Sequence, residues 1–144
     1  SEDYRAPIIK NGVLESVLTS KNTAAQFGLS PSKTSDAAYD GVPSYGVSGL
    51  YVSPTAETLS GLVPGKAVYV VMASGGDTTP DGHFATPVQL AYLVENGKIV
   101  GRLPELMIDG DFFEMLGDNY IGAVHGGLPG DGQLCAVCLN VTKQ

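Results

Sequence analysis

The segment from Ala91 to Gly122 constrains the fold more than any other part of the chain, because it reads as strand, turn, strand, cap and helix in succession. Val88 to Glu95 is rich in β-branched and aromatic residues, and Asn96-Gly97 follows at once. An Asn-Gly pair reaches positive φ easily, so it predicts a type I′ turn into a second strand, Lys98 to Arg102. The segment therefore predicts an antiparallel hairpin.

A short helix is predicted after this hairpin. Pro104 ends the second strand because proline cannot donate to a ladder, and Glu105 to Ile108 begins another extended run. Asp111 is placed to cap a helix from Phe112 to Leu116. Gly117 is placed to stop that helix in a left-handed conformation.

The rest of the chain alternates short apolar runs with turn residues. Strands are predicted at Pro7–Lys10, Val13–Leu18, Gly49–Ser53, Ala67–Ala73 and Leu134–Val141, helices at Asn22–Phe27 and Thr55–Leu62, and loops at Ser30–Gly46 and Gly75–Gly82. The continuous apolar run Ala67–Ala73 is expected to be a fully buried central strand. Together these elements predict an α+β fold, mainly β, with antiparallel sheets built from short hairpins and two or three short helices.

Length bounds the number of domains. The 144 residues are expected to form one domain, residues 1–144. Asn11-Gly12 predicts a second hairpin turn, so the chain carries two turns of one type. An internal duplication is the alternative to a shared scaffold, but the residues flanking the two turns differ and the common signal is only a few residues long.

Charge and composition exclude several classes of function. The net charge of −7 repels phosphate backbones, and the eight basic residues are scattered singly, so direct nucleic-acid binding is disfavoured. No apolar run approaches the roughly 20 residues that cross a bilayer. Two closely spaced cysteines give no disulfide framework. We therefore expect a cytoplasmic protein that binds neither nucleic acid nor membrane.

Several motifs in a fixed order resemble one protein family. The phrase AYLVENGKIV at Ala91–Val100, the short strand and the short helix after it resemble a run that recurs in that family. Ala6–Phe27 resembles the family's first hairpin and helix, Tyr120-Ile121-Gly122 its IGND phrase, and Asp131-Gly132-Gln133 its DGQ phrase. On these motifs the chain resembles the C-terminal domain of the TldD/PmbA proteins, often described as modulators of DNA gyrase.

The resemblance implies a peptide-processing metallopeptidase assembly. In one branch of the family a zinc-binding HExxxH helix precedes this domain, and a downstream cysteine completes the metal site. These 144 residues contain no HExxxH, no GxSxG and no P-loop. Either the chain is a fragment of a longer protein, which we favour, or it belongs to a natural short form without the metal helix.

Partners and cofactor also follow from the resemblance. It implies an unfolded peptide or small protein as substrate, and a dimer with the same or a related TldD/PmbA subunit. The domain by itself is expected to be inactive, to wall the substrate channel through sheet edges or glycine-rich loops, and to form subunit-interface surfaces. Zinc is expected only in the complete protein.

Two residues are candidate metal ligands, His125 and Cys135. Aligning Asp131-Gly132-Gln133 with the family's DGQ puts the metal cysteine near Leu128, where no ligand stands. Cys135 matches only if the loop is shifted by several residues. The alternative for Cys135 and Cys138 is a pair of small, buried and inert residues on the last strand, which point to opposite faces at a spacing of three.

Three residues are candidates for substrate binding. Gly75 and Gly76 follow an apolar strand and let the backbone approach a neighbour closely, either a peptide substrate or a crossing loop. His83 stands between a glycine-rich loop and a strand. Its alternative is a loop histidine bonded to backbone or solvent, because no nearby nucleophile or fixed carboxylate partner is evident.

Two further classes of function stay open. The first is a non-catalytic PmbA-type scaffold subunit, which completes a partner's site or binds a regulatory protein. The second is an independent small enzyme using Cys135 or His83, which requires a thiolate of low pKa with a base in reach.

Overall fold

The fold was analysed on a computed structural model, which describes residues 7–10, 13–31, 35–36, 44–45, 51–129 and 132–143. In chain order the described elements are β1 (Ile9–Lys10), β2 (Val13–Leu14), α1 (Lys21–Phe27), β3 (Ser35–Asp36), β4 (Ser44–Tyr45), α2 (Leu59–Leu62), β5 (Lys66–Ala73), β6 (Asp77–Thr78), β7 (His83–Glu95), β8 (Lys98–Arg102), β9 (Leu106–Asp111), α3 (Phe112–Leu116), β10 (Tyr120–His125), β11 (Gln133–Val137) and β12 (Asn140–Lys143). The strands pair antiparallel and the helices are short, so the predicted α+β, mainly β class is confirmed.

Backbone contacts divide the chain into two compact units, Ser1–Tyr51 and Val52–Gln144. The single domain predicted for residues 1–144 stays a prediction. Among the described residues no helix is both long and apolar enough to span a membrane.

The first unit contains the predicted hairpin and helix in shortened form. Strands β1 and β2 pair through Ile9 and Leu14, while the Asn11-Gly12 turn lies outside the described residues. The second strand was predicted to run to Leu18 but ends at Leu14. The N–H groups of Glu15 and Ser16 both donate to the Ile8 carbonyl, at 2.8 and 3.3 Å, which breaks the regular ladder.

Helix α1 is bounded as predicted at its C-terminal end. The Ser20 hydroxyl accepts from the Thr23 N–H at 3.1 Å and caps the first turn. Gly28 adopts φ 65°, and its N–H donates to the Ala24 carbonyl. The predicted loop from Ser30 to Gly46 contains one short strand pair, β3 with β4.

Strand β7 is the centre of a six-stranded sheet in the second unit. Its 13 residues pair with β5 and β6 along one side and with β8 and β9 along the other, and β12 adds outside β9. A cluster of Val88, Ala91 and Leu106 is buried on this sheet, with Leu103 and Ile108 packed against it. The long strand can pair with two strands on each side because each of them covers only part of its length.

The hairpin turn has the backbone that its sequence predicted. Asn96 has φ 51° and Gly97 has φ 78°, so both central residues are left-handed, as a type I′ turn requires. Strand β8 has the predicted bounds, Lys98–Arg102.

Helix α3 also has the predicted bounds and cap. Asp111 Oδ1 accepts from the Phe113 N–H at 2.8 Å and the Glu114 N–H at 3.2 Å. The prediction that Gly117 ends the helix in a left-handed conformation is wrong, since Gly117 has a φ of −101°. The helix instead closes in a tight turn, in which the Gly117 N–H donates to the Glu114 carbonyl at 3.2 Å.

Strand β5 is where the sequence prediction fails most. The Ala67–Ala73 run was expected to be central and fully buried, yet β5 lies at the edge of the sheet. Val68, Val70, Val71 and Met72 are 37%, 37%, 47% and 50% exposed. A register shift between Val70 and Met72 adds to this exposure, because the extra residue in a bulge bends the strand.

The end of β5 is explained by a proline in β7. Pro87 accepts a bond from the Ser74 N–H at 3.3 Å, so its carbonyl faces the side of β5 and β6. The N–H and C=O of one residue point to the same side, so proline's missing donor also falls on that side. The ladder therefore breaks between β5 and β6, and Gly75 and Gly76 carry the chain across the gap with φ 78° and 101°.

Three further predicted elements differ from the structure. Strand Leu134–Val141 is wrong as one element, because the chain divides into β11, which pairs with β10, and β12, which pairs with β9. Helix Thr55–Leu62 begins only at Leu59, after the Thr58 cap, because Thr55 bonds to β10 instead. No strand covers residues 51–53 of the predicted Gly49–Ser53, while residues 49 and 50 lie outside the described part.

Candidate functional site

The two candidate metal ligands lie on one hairpin. His125 ends β10 opposite Gln133 of β11, and Cys135 lies opposite Ala123. Residues two apart on a strand, and residues directly opposite across a ladder, share one face of a sheet. His125 and Cys135 are therefore diagonal neighbours on the same face, and both are exposed.

The cysteines are not the buried pair that the sequence suggested. Cys135 and Cys138 are both free and exposed. Strand β11 ends at Val137, and Cys138 lies in the break before β12, where its N–H donates to the Asn119 carbonyl at 2.8 Å. The expectation that they occupy one strand and are buried is wrong because the chain leaves β10 at this point.

The described residues do not form a zinc site alone. Zinc in proteins takes at least three protein ligands. Among the described residues, no three His, Cys, Asp or Glu side chains gather closely enough to hold a metal ion. Leu128, at the position that the DGQ alignment gives to the metal cysteine, is buried, with 7% of its surface exposed. His125 and Cys135 fit zinc only as two members of a larger ligand set.

An open groove of about 430 Å³ lies beside His125. Its other lining residues are Pro54, Thr55, Ala56 and Glu57. His125 Nδ1 lies 3.1 Å from the Gly132 carbonyl oxygen, which orients the ring at the edge of the groove. The carboxylate, hydroxyl and imidazole in this lining can donate and accept hydrogen bonds with a polar ligand.

Two residues that hold the segment before α2 on the β10–β11 hairpin were missed by the sequence analysis. Thr55 donates its N–H to the Ala123 carbonyl at 2.8 Å, and its Oγ1 accepts from the Ala123 N–H at 3.0 Å. The Gln133 amide bonds both backbone groups of Val52, accepting from the N–H at 3.2 Å and donating to the carbonyl. Gln133 ends the DGQ motif, so membership of that motif was the available signal.

Gly122 has a packing role in the same place. It adopts φ 154°, and a Cβ there would lie 2.7 Å from Leu62 Cδ1 and closer still to Thr55 Oγ1. The glycine of the Tyr120-Ile121-Gly122 motif thus allows the segment before α2 to lie directly on β10.

The candidate substrate-binding residues lie in or beside the first half of β7. A Cβ on Gly76 would meet the Ala85 carbonyl and lie 2.9 Å from Thr86 Cα, so the close approach foreseen for this glycine is made to β7. A Cβ on Gly75 would lie 3.9 Å from Pro87 Cγ. Substrate binding by Gly75, Gly76 and His83 stays a prediction.

His83 has carboxylate neighbours that the sequence did not reveal. Its Nδ1 lies 3.5 Å from Asp111 Oδ2 and its Nε2 lies 3.8 Å from Asp81 Oδ2. A hydrogen bond from the Thr79 hydroxyl is the largest cause that lowers the pKa of Asp81, with a smaller effect from His83. Asp111 is held in place by its helix cap, so the expectation that no fixed carboxylate lies near His83 is wrong.

Among the strands of the described residues, none pairs with the exposed side of β5, which is a sheet edge. The Gly65 carbonyl accepts from the Asn96 N–H at 2.8 Å, so Gly65 bonds toward the β7–β8 hairpin. The Ala91 carbonyl accepts from the Leu103 N–H at 2.9 Å, on the side of β7 away from β5. The direction of backbone hydrogen bonding alternates from residue to residue along an antiparallel strand. Both observations therefore place the N–H and C=O groups of every second residue of β5, starting with Lys66, on the side away from β7.

The outward positions before the bulge are Lys66, Val68 and Val70. Within the described part of the chain, β5 is the last strand on this side of the sheet. Its outward N–H and C=O groups are therefore a template on which another extended segment can pair.

Comparison with known proteins identifies the family. Residues 2–126 match the model of the PmbA/TldA metallopeptidase C-terminal domain. A metalloprotease of Archaeoglobus fulgidus is 30% identical over 118 residues, which span 80% of this chain and 28% of the relative. A zinc metalloprotease TldD homolog of Saccharolobus solfataricus is 29% identical over 118 residues, or 80% of this chain and 27% of the relative.

Solved structures share the fold. TldE of Thermococcus kodakarensis superposes with a TM-score of 0.65 at 17% identity, over 94% of this chain and 32% of that one. A candidate modulator of a DNA gyrase from Thermotoga maritima gives a TM-score of 0.58 at 19% identity, with the same coverage. The chain spans less than a third of the length of these relatives. It belongs to the TldD/PmbA family, in which it matches the C-terminal domain.

Proposed function

We propose that this chain serves a peptide-processing metallopeptidase assembly by offering the free edge of β5 to an extended peptide. The family match supports the metallopeptidase setting. The relatives named as metalloproteases are nearly three times as long as this chain, so the metal-binding helix and the rest of the active site would lie in segments that these residues do not include. In this role the domain forms a wall of the substrate channel.

The observation that carries the proposal is the chemistry of the β5 edge. Main-chain bonds to a sheet edge bind a peptide with little regard to its sequence, while side chains at alternate positions select among peptides. The exposed side chains of Val68 and Val70 beside the outward backbone groups favour apolar residues at alternate positions of the bound segment. The net charge of −7 favours a peptide over a nucleic acid as the ligand.

The proposal is tested with Val68→Pro in the full-length protein. Proline removes the outward N–H of Val68 and leaves the bonds between β5 and β7 in place, as proline is tolerated at sheet edges. Hydrolysis of an unfolded peptide by the assembled enzyme should become roughly tenfold less efficient in kcat/KM, as expected when one main-chain bond and its geometry are lost.

Val68→Ala is the matched control, because it shortens the same side chain and keeps the N–H. It should change kcat/KM by less than about threefold, within the range for one partly exposed apolar side chain. Thermal unfolding of both variants checks that β5 remains folded. Equal activity of the proline and alanine variants would show that the β5 edge does not bind the substrate.

The second candidate function is a metal-free scaffold subunit that completes a partner's site. The buried Leu128 supports it, because an apolar side chain fills the position that the family resemblance gives to the metal cysteine. A related subunit would then supply the metal, and this chain would supply surfaces for the interface and the substrate.

Metal analysis separates the two candidates. Full-length protein purified without chelators is analysed for zinc by mass spectrometry, together with the Cys135→Ser and His125→Gln variants. Zinc in amounts comparable to the protein, lost in either variant, supports a metal-bearing subunit that uses these two ligands. Wild-type protein with negligible zinc, active only after mixing with a zinc-bearing relative, supports the scaffold subunit.

A further inference from the structure

Helix α3 has more apolar surface than the sheet can cover. Four of its five residues are large and apolar, with Glu114 between them. Phe112 is 39% exposed and stacks on Phe84, with ring centroids 4.7 Å apart. Phe113 is 75% exposed and Leu116 is 66% exposed. A helix that is apolar on both sides is normally buried on both sides, so a second partner is needed for the outer face.

The exposed face is held in a fixed arrangement. Phe113 and Leu116 are three residues apart on the helix and therefore lie side by side. The Phe113 ring lies over Gly82, where a Cβ would come 2.9 Å from Cε2. The Phe112 N–H donates to the Gly82 carbonyl at 3.0 Å, and the Asp111 cap holds the first turn. A rigid aromatic anchor loses little entropy when a partner binds it.

Within the described part of the chain, the charged residues that flank this face in sequence are acidic. Asp81 precedes Gly82 and has 71% of its side chain exposed, Glu114 lies within the helix, and Asp118 follows it. The stretch from Leu103 to Thr142 contains six acidic residues and neither lysine nor arginine. Aspartate and glutamate carboxylates are ionised at neutral pH, so these residues give the surface a negative charge.

We propose that this α3 surface, made of Asp81, Phe113, Glu114, Leu116 and Asp118, docks a basic segment of a partner protein that also carries an apolar side chain. The apolar side chain packs on Phe113 and Leu116. Lysine or arginine side chains pair with the carboxylates and lie against the exposed Phe113 ring, which attracts cations over its face. The inference does not depend on the β5 edge being a substrate site.

The proposal is tested by fluorescence anisotropy on the full-length protein at neutral pH, with a short labelled peptide of lysine and leucine as the probe. A peptide with glutamate in place of lysine and one with serine in place of leucine are the matched controls. The lysine and leucine peptide should bind best, and its affinity should fall as ionic strength rises.

Variants locate the binding surface. The Phe113→Ala, Leu116→Ala double variant should weaken binding roughly tenfold or more, as loss of an interface anchor does. Val100→Ala, which changes a residue 54% exposed on β8, should leave the affinity unchanged. Glu114→Gln should weaken binding, while Glu105→Gln, the same change of charge at an exposed position outside the α3 surface, should not.

Other outcomes overturn the proposal. Equal binding by the double variant, or equal binding of the glutamate peptide, would show that the α3 surface does not select a basic partner. In the Val68→Pro background, which disrupts strand pairing at the β5 edge, the probe should still bind and should still be weakened by the Phe113→Ala, Leu116→Ala change; a complete loss of binding in Val68→Pro alone would assign the peptide to the β5 edge instead. Dissociation of an oligomer in the double variant, with probe binding unchanged, would assign the surface to a second copy of the chain.

Discussion

Gly76 and Gly65 have nearly the same left-handed backbone, with φ of 101° and 97°, but different surroundings. A Cβ at Gly65 meets nothing within 4 Å, whereas one at Gly76 meets the backbone of Ala85 and Thr86. Gly65→Ala should therefore cost about 1 kcal/mol of unfolding free energy, from backbone strain alone. Gly76→Ala should lose an additional 1 to 3 kcal/mol, the approximate range for overpacking.

Chemical denaturation of the two glycine variants measures this difference. The comparison is informative because both substitutions have the same effect on the unfolded chain. Equal losses at the two positions would mean that the loop after β5 moves away from β7 at little cost, and that Gly76 is not needed for the close approach.

At the scale of single residues, the motifs identified residues that matter for the structure but did not predict the contacts that those residues make. Gly122 and Gln133 both belong to motifs that resemble the family. Gly122 lets the segment before α2 lie against β10, and Gln133 bonds the backbone of Val52 to β11. The Asp111 carboxylate beside His83 was not foreseen, because the pairing of β7 with β9 brings Asp111 opposite His83. Contacts between distant parts of the chain have no signature in local sequence.

At the scale of elements, the cap of α3 is a direct test of local prediction. Asp111→Ala removes the acceptor for two N–H groups and should destabilise the protein by about 1 kcal/mol, within the usual range for an N-cap. Asp118→Ala is the control, because it removes the same charge from the exposed segment after the helix. Thermal unfolding midpoints measure the stability of the two variants. An equal shift in both would show that Asp111 does not stabilise α3 as a cap.

Elements with strong local signals were predicted well, and those decided by partners were not. The Asn96-Gly97 turn, strand β8 and helix α3 follow from turn and cap chemistry within a few residues. The apolar run of β5 was correctly predicted as a strand but wrongly as buried, since burial depends on which strand becomes the centre of the sheet. The last strand divides because its two halves pair with different partners, a choice made by tertiary contacts.

At the scale of the whole molecule, the family was predictable while the site was only partly so. Ordered motifs along the chain indicated the TldD/PmbA C-terminal domain, and the match over residues 2–126 confirms it. His125 and Cys135 share a face, yet the described residues do not complete a metal ligand set. The chain covers less than a third of its relatives, so groups that complete such a set would have to come from other segments or subunits.

The measurement that tests the account most directly is amide hydrogen exchange of β5 in the full-length protein, with and without an unfolded peptide. The account predicts new protection at Lys66 and Val68, whose N–H groups point outward. It predicts little change at Ala67, whose N–H already bonds to β7. No added protection on β5, or equal protection at all three residues, would contradict strand addition at this edge.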